Sequence, residues 1–179
     1  MGNKSIKVIH IDSEMSWRGG QQQAAYLHES LYKKGFNTLL ICPPKSEFSK
    51  YCLTKNLPVK QISMRGELDF IAGYQIARLA KVNDFRILHA HSAHAQATAL
   101  WTKLFYPKLK IIGVRRVDFH LKENFFSKIK YNSKLIDKIV CISNGIKEVL
   151  IQDGISEDKL VTIHSGIDIH KFDHIESLA

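Results

Sequence analysis

The stretch Leu88-His89-Ala90-His91-Ser92-Ala93-His94 places three imidazoles close together just where an apolar run ends. Side chains alternate along a strand, so His89 and His91 share a face if the run is extended, and His94 opens the segment that follows. The spacing is that of a metal-ligand set, but no matching ligands follow downstream, so no metal is expected. The plainer role for His89 is a core histidine held by a backbone partner. A second group, Arg115 and Arg116 with Asp118, leaves another apolar run. Paired guanidinium groups can grip a phosphate or carboxylate through parallel N–H donors, with Asp118 orienting one of them; a surface ion pair is the alternative. A third group, Gly19 and Gly20, precedes a helical pattern. Two glycines let the backbone approach a ligand closely, and the free N–H groups of a helix start suit a phosphate; a tight turn is the alternative. Neither GxGxxG nor GxxxxGK(S/T) occurs, so dinucleotide and P-loop chemistry are not indicated.

These residues need a frame that gathers strand ends. Residues 6–11 are rich in Ile, Val and His, turn-prone residues follow from Asp12, and Ala24, Leu27 and Leu31 recur at helical spacing up to Gly35. Apolar strand patterns return at 38–42, 59–62, 86–90, 110–114, 138–142 and 160–163. Between them lie a short helix at 47–55 and helical faces through Leu68, Ala72, Ile76 and Leu79 and through Ala93, Ala97, Leu100 and Leu104. A last helix carries Ile146, Val149 and Leu150, with Gly154 placed to end it. Strands alternating with helices predict an α/β fold, a Rossmann-like doubly wound parallel sheet in a single domain. Such sheets bind ligands beyond the carboxyl ends of their strands, which is where all three groups fall.

The totals agree with one folded domain. The 179 residues are 45% hydrophobic and 24% charged, near the globular average. No apolar run is long enough to span a bilayer or to serve as a signal sequence, and the odd, scattered set Cys42, Cys52 and Cys141 lacks a CxxC pair. Reduced core thiols and a cytoplasmic protein are expected. The formal charge of +9 favours anionic partners. Residues 121–134 mix Phe125, Phe126, Ile129 and Tyr131 with Lys122, Lys128, Lys130 and Lys134, the composition of a helix lying on an anionic membrane or of a core helix with a solvated face. No nucleic-acid partner is expected, since no RNA-binding signature or zinc-finger spacing appears.

Taken together, the order and spacing of several segments resemble glycosyltransferase family four of the GT-B superfamily. They are the opening strand with Gly19-Gly20, the run Asp84-Phe85-Arg86-Ile87-Leu88-His89-Ala90-His91, Cys141-Ile142-Ser143-Asn144, and the closing stretch from Gly154-Ile155 through Leu160-Val161-Thr162-Ile163 to Ser165-Gly166-Ile167-Asp168 and Phe172. The last is similar to the family's junction between its two Rossmann-like domains. The resemblance implies that residues 1–164 form the N-terminal, acceptor-side domain, that 165–179 begin an interdomain linker, and that the C-terminal donor domain is missing from this chain. It implies catalytic positions at His91, His94 and Asp118, and donor contacts from Gly19, Gly20 and Gln21. It also implies acceptor contacts from Arg115, Arg116, His120, Ser143 and Asn144, and an interdomain role for Ser165, Gly166 and Asp168. Gln21 and Gln22 stand where the family often has an acidic residue, Ser165 stands where asparagine is common, and His120 lies several residues beyond the family's histidine after the fifth strand.

The expected function is therefore half of a retaining glycosyltransferase that uses a nucleotide-diphosphate sugar as donor and no metal or other cofactor, inactive by itself. The expected acceptor is a glycan or a lipid-linked glycan in cell-envelope polysaccharide or lipopolysaccharide synthesis, with the protein peripheral at the inner face of the plasma membrane. Two alternatives come from other classes: a non-catalytic Rossmann-like module for a phosphorylated ligand, and a metallohydrolase built on His89, His91 and His94. The HxHxxH run resembles that of metallo-β-lactamase-like hydrolases, but Ala93 stands where they carry Asp.

Overall fold

The computed structural model describes residues 6–121 and 131–167. Its order is β1 (Lys7–Ile11), α1 (Gly19–Lys33), β2 (Asn37–Cys42), α2 (Glu47–Thr54), β3 (Val59–Gln61), α3 (Phe70–Val82), β4 (Ile87–Ala90), α4 (Ala93–Phe105), β5 (Lys110–Arg115), β6 (Lys138–Cys141), α5 (Asn144–Gln152) and β7 (Leu160–Thr162). All seven strands are parallel, in the order β3-β2-β1-β4-β5-β6-β7. The expected doubly wound α/β sheet is present, with strand limits within a residue of the sequence pattern. One helix start is corrected. Leu68 was expected on the face of α3, but it is 75% exposed and precedes the helix. Asp69 caps the helix, its carboxylate accepting from Ala72 N at 3.0 Å, and a side-chain cap of this kind fixes where the first turn begins. At the other end of such elements, Gly154 takes φ +85° after α5, the left-handed conformation that glycine adopts without a steric penalty.

Right-handed crossovers decide which face each helix covers. The chain moves from β1 outward to β2 and β3, then returns to β4 and continues through β7, so α1 and α2 lie on one face and α3, α4 and α5 on the other. The period of two along the strands follows suit. Ile9, Ile11, Leu88, Ala90, Ile111, Ile139 and Cys141 point into the large core under α3 to α5. Leu40 and Cys42 join Ala24, Ala25, Phe48 and Cys52 in a smaller core under α1 and α2. The three cysteines are free and buried, and desolvation pushes the Cys42 and Cys52 thiols up to about 11 and about 12, so they stay neutral. Beyond α1 the same face of β5, β6 and β7 is left partly open: Ile112, Val140 and Ile142 are half-buried, and Val161 and Ile163 are exposed. Of the basic segment at 121–134, residues 122–130 lie outside the described residues; Leu121 and Tyr131 are buried in the large core. Among the described residues no helix is long and apolar enough to cross a membrane.

Candidate functional site

The carboxyl rim of the central strands carries the chemistry. Asp12, at the end of β1, is fully buried. Its carboxylate accepts from Glu14 N at 2.9 Å and from Gln21 Nε2 at 3.1 Å. Desolvation raises its pKa to about 6, against the opposing pull of those hydrogen bonds and of Arg116. The loop after β1 is tied to the loop after β4 by Ser13 Oγ and Ser92 Oγ, 2.7 Å apart. The helix α1 then starts at Gly19 with Arg18 as N-cap, whose side chain makes no capping hydrogen bond. Its first-turn N–H groups face the rim without an internal partner, as helix starts do.

Arg116 is the centre of this rim. Its Nη1 donates to the carbonyl of His91 at 2.8 Å, and its Nη2 lies 3.4 Å from His91 Nδ1. A Cβ on Gly20 would lie 3.5 Å from Arg116 Cδ, ordinary van der Waals contact, so the arginine side chain lies against the start of α1. The Arg116 Nε is buried and has no hydrogen-bond partner among the described residues. Burial lowers the pKa of this guanidinium and Asp12 opposes the effect; an arginine so placed remains a cation at neutral pH.

Behind Arg116 lies a cluster of histidines. His10 of β1 is the register partner of His89 of β4, which puts both rings on the α1 side of the sheet. His91 continues the same phase: its ring centroid is 4.3 Å from that of His89, and its Nε2 lies 3.0 Å from His10 Nδ1. Burial is the first cause of a low pKa at each ring. It holds His89 near 4 and pushes His10 and His91 well below the usual histidine range, so all three are neutral at pH 7. Sequence spacing grouped His94 with His89 and His91, but His94 is exposed on the first turn of α4 and the third member of the cluster is His10. His89 was also expected to be satisfied by a backbone partner; its Nε2 has none among the described residues.

Three neutral imidazoles whose ligand atoms lie within 4.8 Å of one another could hold a divalent ion. The donors around them do not fit that use. A ligating histidine presents its second nitrogen as an N–H donor to an acceptor, whereas the second nitrogen of His91 faces the guanidinium of Arg116, itself a donor and a cation. The geometry suits a chain in which Arg116 donates to His91 Nδ1 and His91 Nε2–H donates to His10 Nδ1. Both nitrogens of His91 are thereby engaged.

The other expected residues divide according to strand phase and loop direction. Arg115 points to the opposite side of β5 from Arg116 and is 9% exposed. It donates to the carbonyls of Val117 and Phe119 at 3.1 and 2.6 Å and stacks on the Phe119 and Tyr131 rings. Its donors hold the loop after β5. Asp118 is exposed on that loop, and the acid whose charge Arg116 feels is Asp12. His120 bonds Asp153 at the end of α5, at 2.8 Å. Ser143 caps α5 by accepting from Ile146 N at 3.2 Å, and Asn144 is exposed beside it. Gln21 is spent on Asp12, and it is Gln23 that reaches the groove, where it donates to Gly166 O at 2.8 Å. A groove of about 710 Å³ runs down the flank of α1 over the open sheet face, with His91, Arg116, Ser165 and Gly166 at its rim end and Val114, Val140 and Ile142 on its floor. Asp168 lies outside the described residues. Sequence reasoning missed Asp12, His10 and Gln23. The alternation that places Ile9 and Ile11 in one core already turned His10 to the other face, but nothing local showed that β4 lies beside it.

A seven-stranded parallel sheet with a glycine-opened first helix and a cationic rim is a Rossmann-like α/β domain. The chain belongs to Glycosyltransferase Family 4, which it matches over residues 17–171. Solved structures support the fold. Anabaena HepE in complex with UDP aligns with a TM-score of 0.75 at 12% identity, over 93% of this chain and 46% of its own. A glycosyltransferase from Rickettsia africae aligns with 0.75 at 20% identity, over 95% and 45%. The lipopolysaccharide outer core galactosyltransferase WaaB, in its apo form, aligns with 0.69 at 16% identity, over 92% and 47%. The chain thus spans less than half the length of these proteins. No curated protein matches it.

Proposed function

We propose that this chain is the acceptor-side lobe of a retaining glycosyltransferase that takes its sugar from a nucleoside diphosphate and needs no metal. The observation that carries this reading is Arg116: a half-buried cation whose buried Nε–H has no partner among the described residues, lying against Gly20 at the uncapped start of α1. When the bond between the anomeric carbon and the diphosphate breaks, the electron pair leaves with the diphosphate. A fixed cation beside free helix N–H groups stabilises that growing charge without rearranging at the moment of reaction. His91 positions Arg116 through its carbonyl and ring, whereas His94 and Asp118, for which the family resemblance implies catalytic positions, are exposed and in this reading face the acceptor. Ser165 and Gly166 line the rim end of the groove, and the interdomain role is assigned to them and to Asp168. UDP as the nucleotide, and an envelope glycan or lipid-linked glycan as acceptor, are suggested by HepE with UDP and by the lipopolysaccharide enzyme WaaB.

The test is sugar transfer by this lobe joined to its donor-side lobe. Arg116→Ala should lower turnover by about two to three orders of magnitude, the loss typical of removing one preorganised charge partner. Arg116→Lys, which keeps the charge but not the fork of donors, should recover part of it. Undiminished turnover in a folded Arg116→Ala protein sinks the assignment.

A further inference from the structure

The helix α3 is patterned on its outer face as well as its inner one. Inward, it buries Ala72, Gly73, Ile76, Ala77 and Ala80. The approach to α4 is close, since a Cβ on Gly73 would fall 2.5 Å from Trp101 Cβ. Outward, Phe70, Ile71 and Tyr74, with Leu104 and Phe105 of α4, are between 46% and 59% exposed. Ring contacts across the two helices, Phe70 to Trp101 at 6.5 Å and Tyr74 to Phe105 at 5.5 Å, join them into one surface. A contiguous exposed apolar surface of this kind marks an interaction site. Leu68 and Val82, more exposed still, extend it at either end of α3. At about 200 Å² for a fully exposed large side chain, the whole offers roughly 700 Å². That is near the ~800 Å² per partner of a stable protein interface.

The charges at the two ends of this surface say what can cover it. Glu67 and Asp69 stand at the amino end of α3, and Arg78 and Lys81 in its last turns. Ile71, Tyr74 and Arg78 follow one another at spacings of three and four, which aligns them along one side of the helix. Glu67, four residues before Ile71 in the turn that leads into α3, continues the row. The row therefore reads acid, apolar, apolar, base, and it is complementary to itself when reversed. Laid antiparallel about a two-fold axis between Ile71 and Tyr74, two copies bring each Ile71 to Tyr74 of the other copy, and each Glu67 to Arg78. Such an axis makes every contact twice. Antiparallel self-pairing neutralises both ends of the row, whereas an anionic surface would meet Glu67 and Asp69. Aromatic residues and arginine around a centre poor in charge are also the composition typical of protein interfaces.

We propose that the chain forms a two-fold symmetric dimer through the outer faces of α3 and α4, with Ile71 and Tyr74 at its centre and Glu67 paired with Arg78 of the second copy at each end. These helices lie on the opposite side of the sheet from α1, so the dimer leaves the groove open and rests on no step of sugar transfer. Sedimentation velocity over a concentration series should show a monomer–dimer equilibrium in the micromolar range. Ile71→Glu sets two charges into the apolar centre and should weaken the dimer at least about tenfold. Glu67→Arg and Arg78→Glu should each do the same, because each replaces an attraction by a like-charge contact at both ends. Glu67, Ile71 and Arg78 are all exposed, so the far-UV circular dichroism of these variants should match the parent. The deciding arm mixes the two charge variants. Each alone should be monomeric, whereas an equimolar mixture sets arginine against glutamate at both ends and should restore the dimer. A chain carrying both exchanges should self-associate as the parent does. Sedimentation as a monomer at about 100 μM overturns the proposal. So does a dimer indifferent to Ile71→Glu or to the two charge reversals, or a mixture that stays monomeric. A monomeric chain that binds phosphatidylglycerol vesicles, and loses that binding with Ile71→Glu, overturns it in favour of a lipid surface.

Discussion

Four histidines on the α1 side of the sheet, three of them buried and His89 half-buried, are held in neutral form, and this makes the protein sensitive to acid. Burial holds His28 and His89 near 4, and lowers His10 and His91 further. In the unfolded chain each titrates near 6.5. A depressed folded pKa means that the unfolded chain binds the proton first, so the stability these groups contribute is whole above pH 6.5 and is lost as pH falls toward 4. For His28 and His89 that is about 3 kcal/mol each. Asp12 has the opposite sign: its pKa is raised to about 6, so its contribution is present below the unfolded value near 3.8 and lost as pH rises through 6. Four groups outweigh one. Thermal melts followed by circular dichroism should show Tm falling steeply from pH 6.5 to 4, and His28→Gln should flatten the slope; a level Tm across that window contradicts the burial assigned to the histidines. At this scale the sequence named the right kinds of residue more often than the right ones. Arg115 and Arg116 are adjacent and chemically alike, and only strand phase sends one into the loop and the other to the rim.

Among the elements, α3 and α4 depend most on a single contact. Gly73 sits against the Trp101 backbone and Cβ, so Gly73→Ala must push the two helices apart by more than the alanine gains in helix propensity. The expected cost is about 1–3 kcal/mol, read as a lower midpoint in urea with little change in slope. A variant as stable as the parent shows that the helices can separate freely. Helix and strand positions were legible from periodicity because burial imposes 3.6 and 2 on the pattern. The start of α3 was not, since Leu68 fits the apolar period but the Asp69 cap determines the boundary. The outward aromatics of α3 and α4 were illegible for the same reason: periodicity finds an apolar stripe, not which side of the helix faces solvent.

For the molecule as a whole, the open half of the sheet is the principal feature. Parallel sheets are ordinarily covered on both faces, yet the groove beside α1 leaves Val140, Ile142, Val161 and Ile163 at least partly exposed. The chain spans less than half of the solved proteins it resembles, and the groove is the surface against which we expect the rest of such a protein to close. The 179-residue chain alone should therefore bind a hydrophobic dye such as ANS while keeping native near-UV circular dichroism. It should also transfer no sugar from UDP-sugars in a coupled UDP-release assay. Sugar transfer by the chain alone refutes the division of labour between lobes.

The order of strands and helices, the parallel sheet and the rim at which chemistry collects were all set by local pattern, because apolar periodicity and turn residues act over a few positions. Which residues meet at that rim was decided by the tertiary fold. His10 joins His89 and His91 through strand pairing across 79 residues of sequence, from position 10 to 89, and Asp12 faces Arg116 from a different strand end. Such contacts are fixed by sheet order and crossover handedness, and no window of sequence short enough to read carries that information.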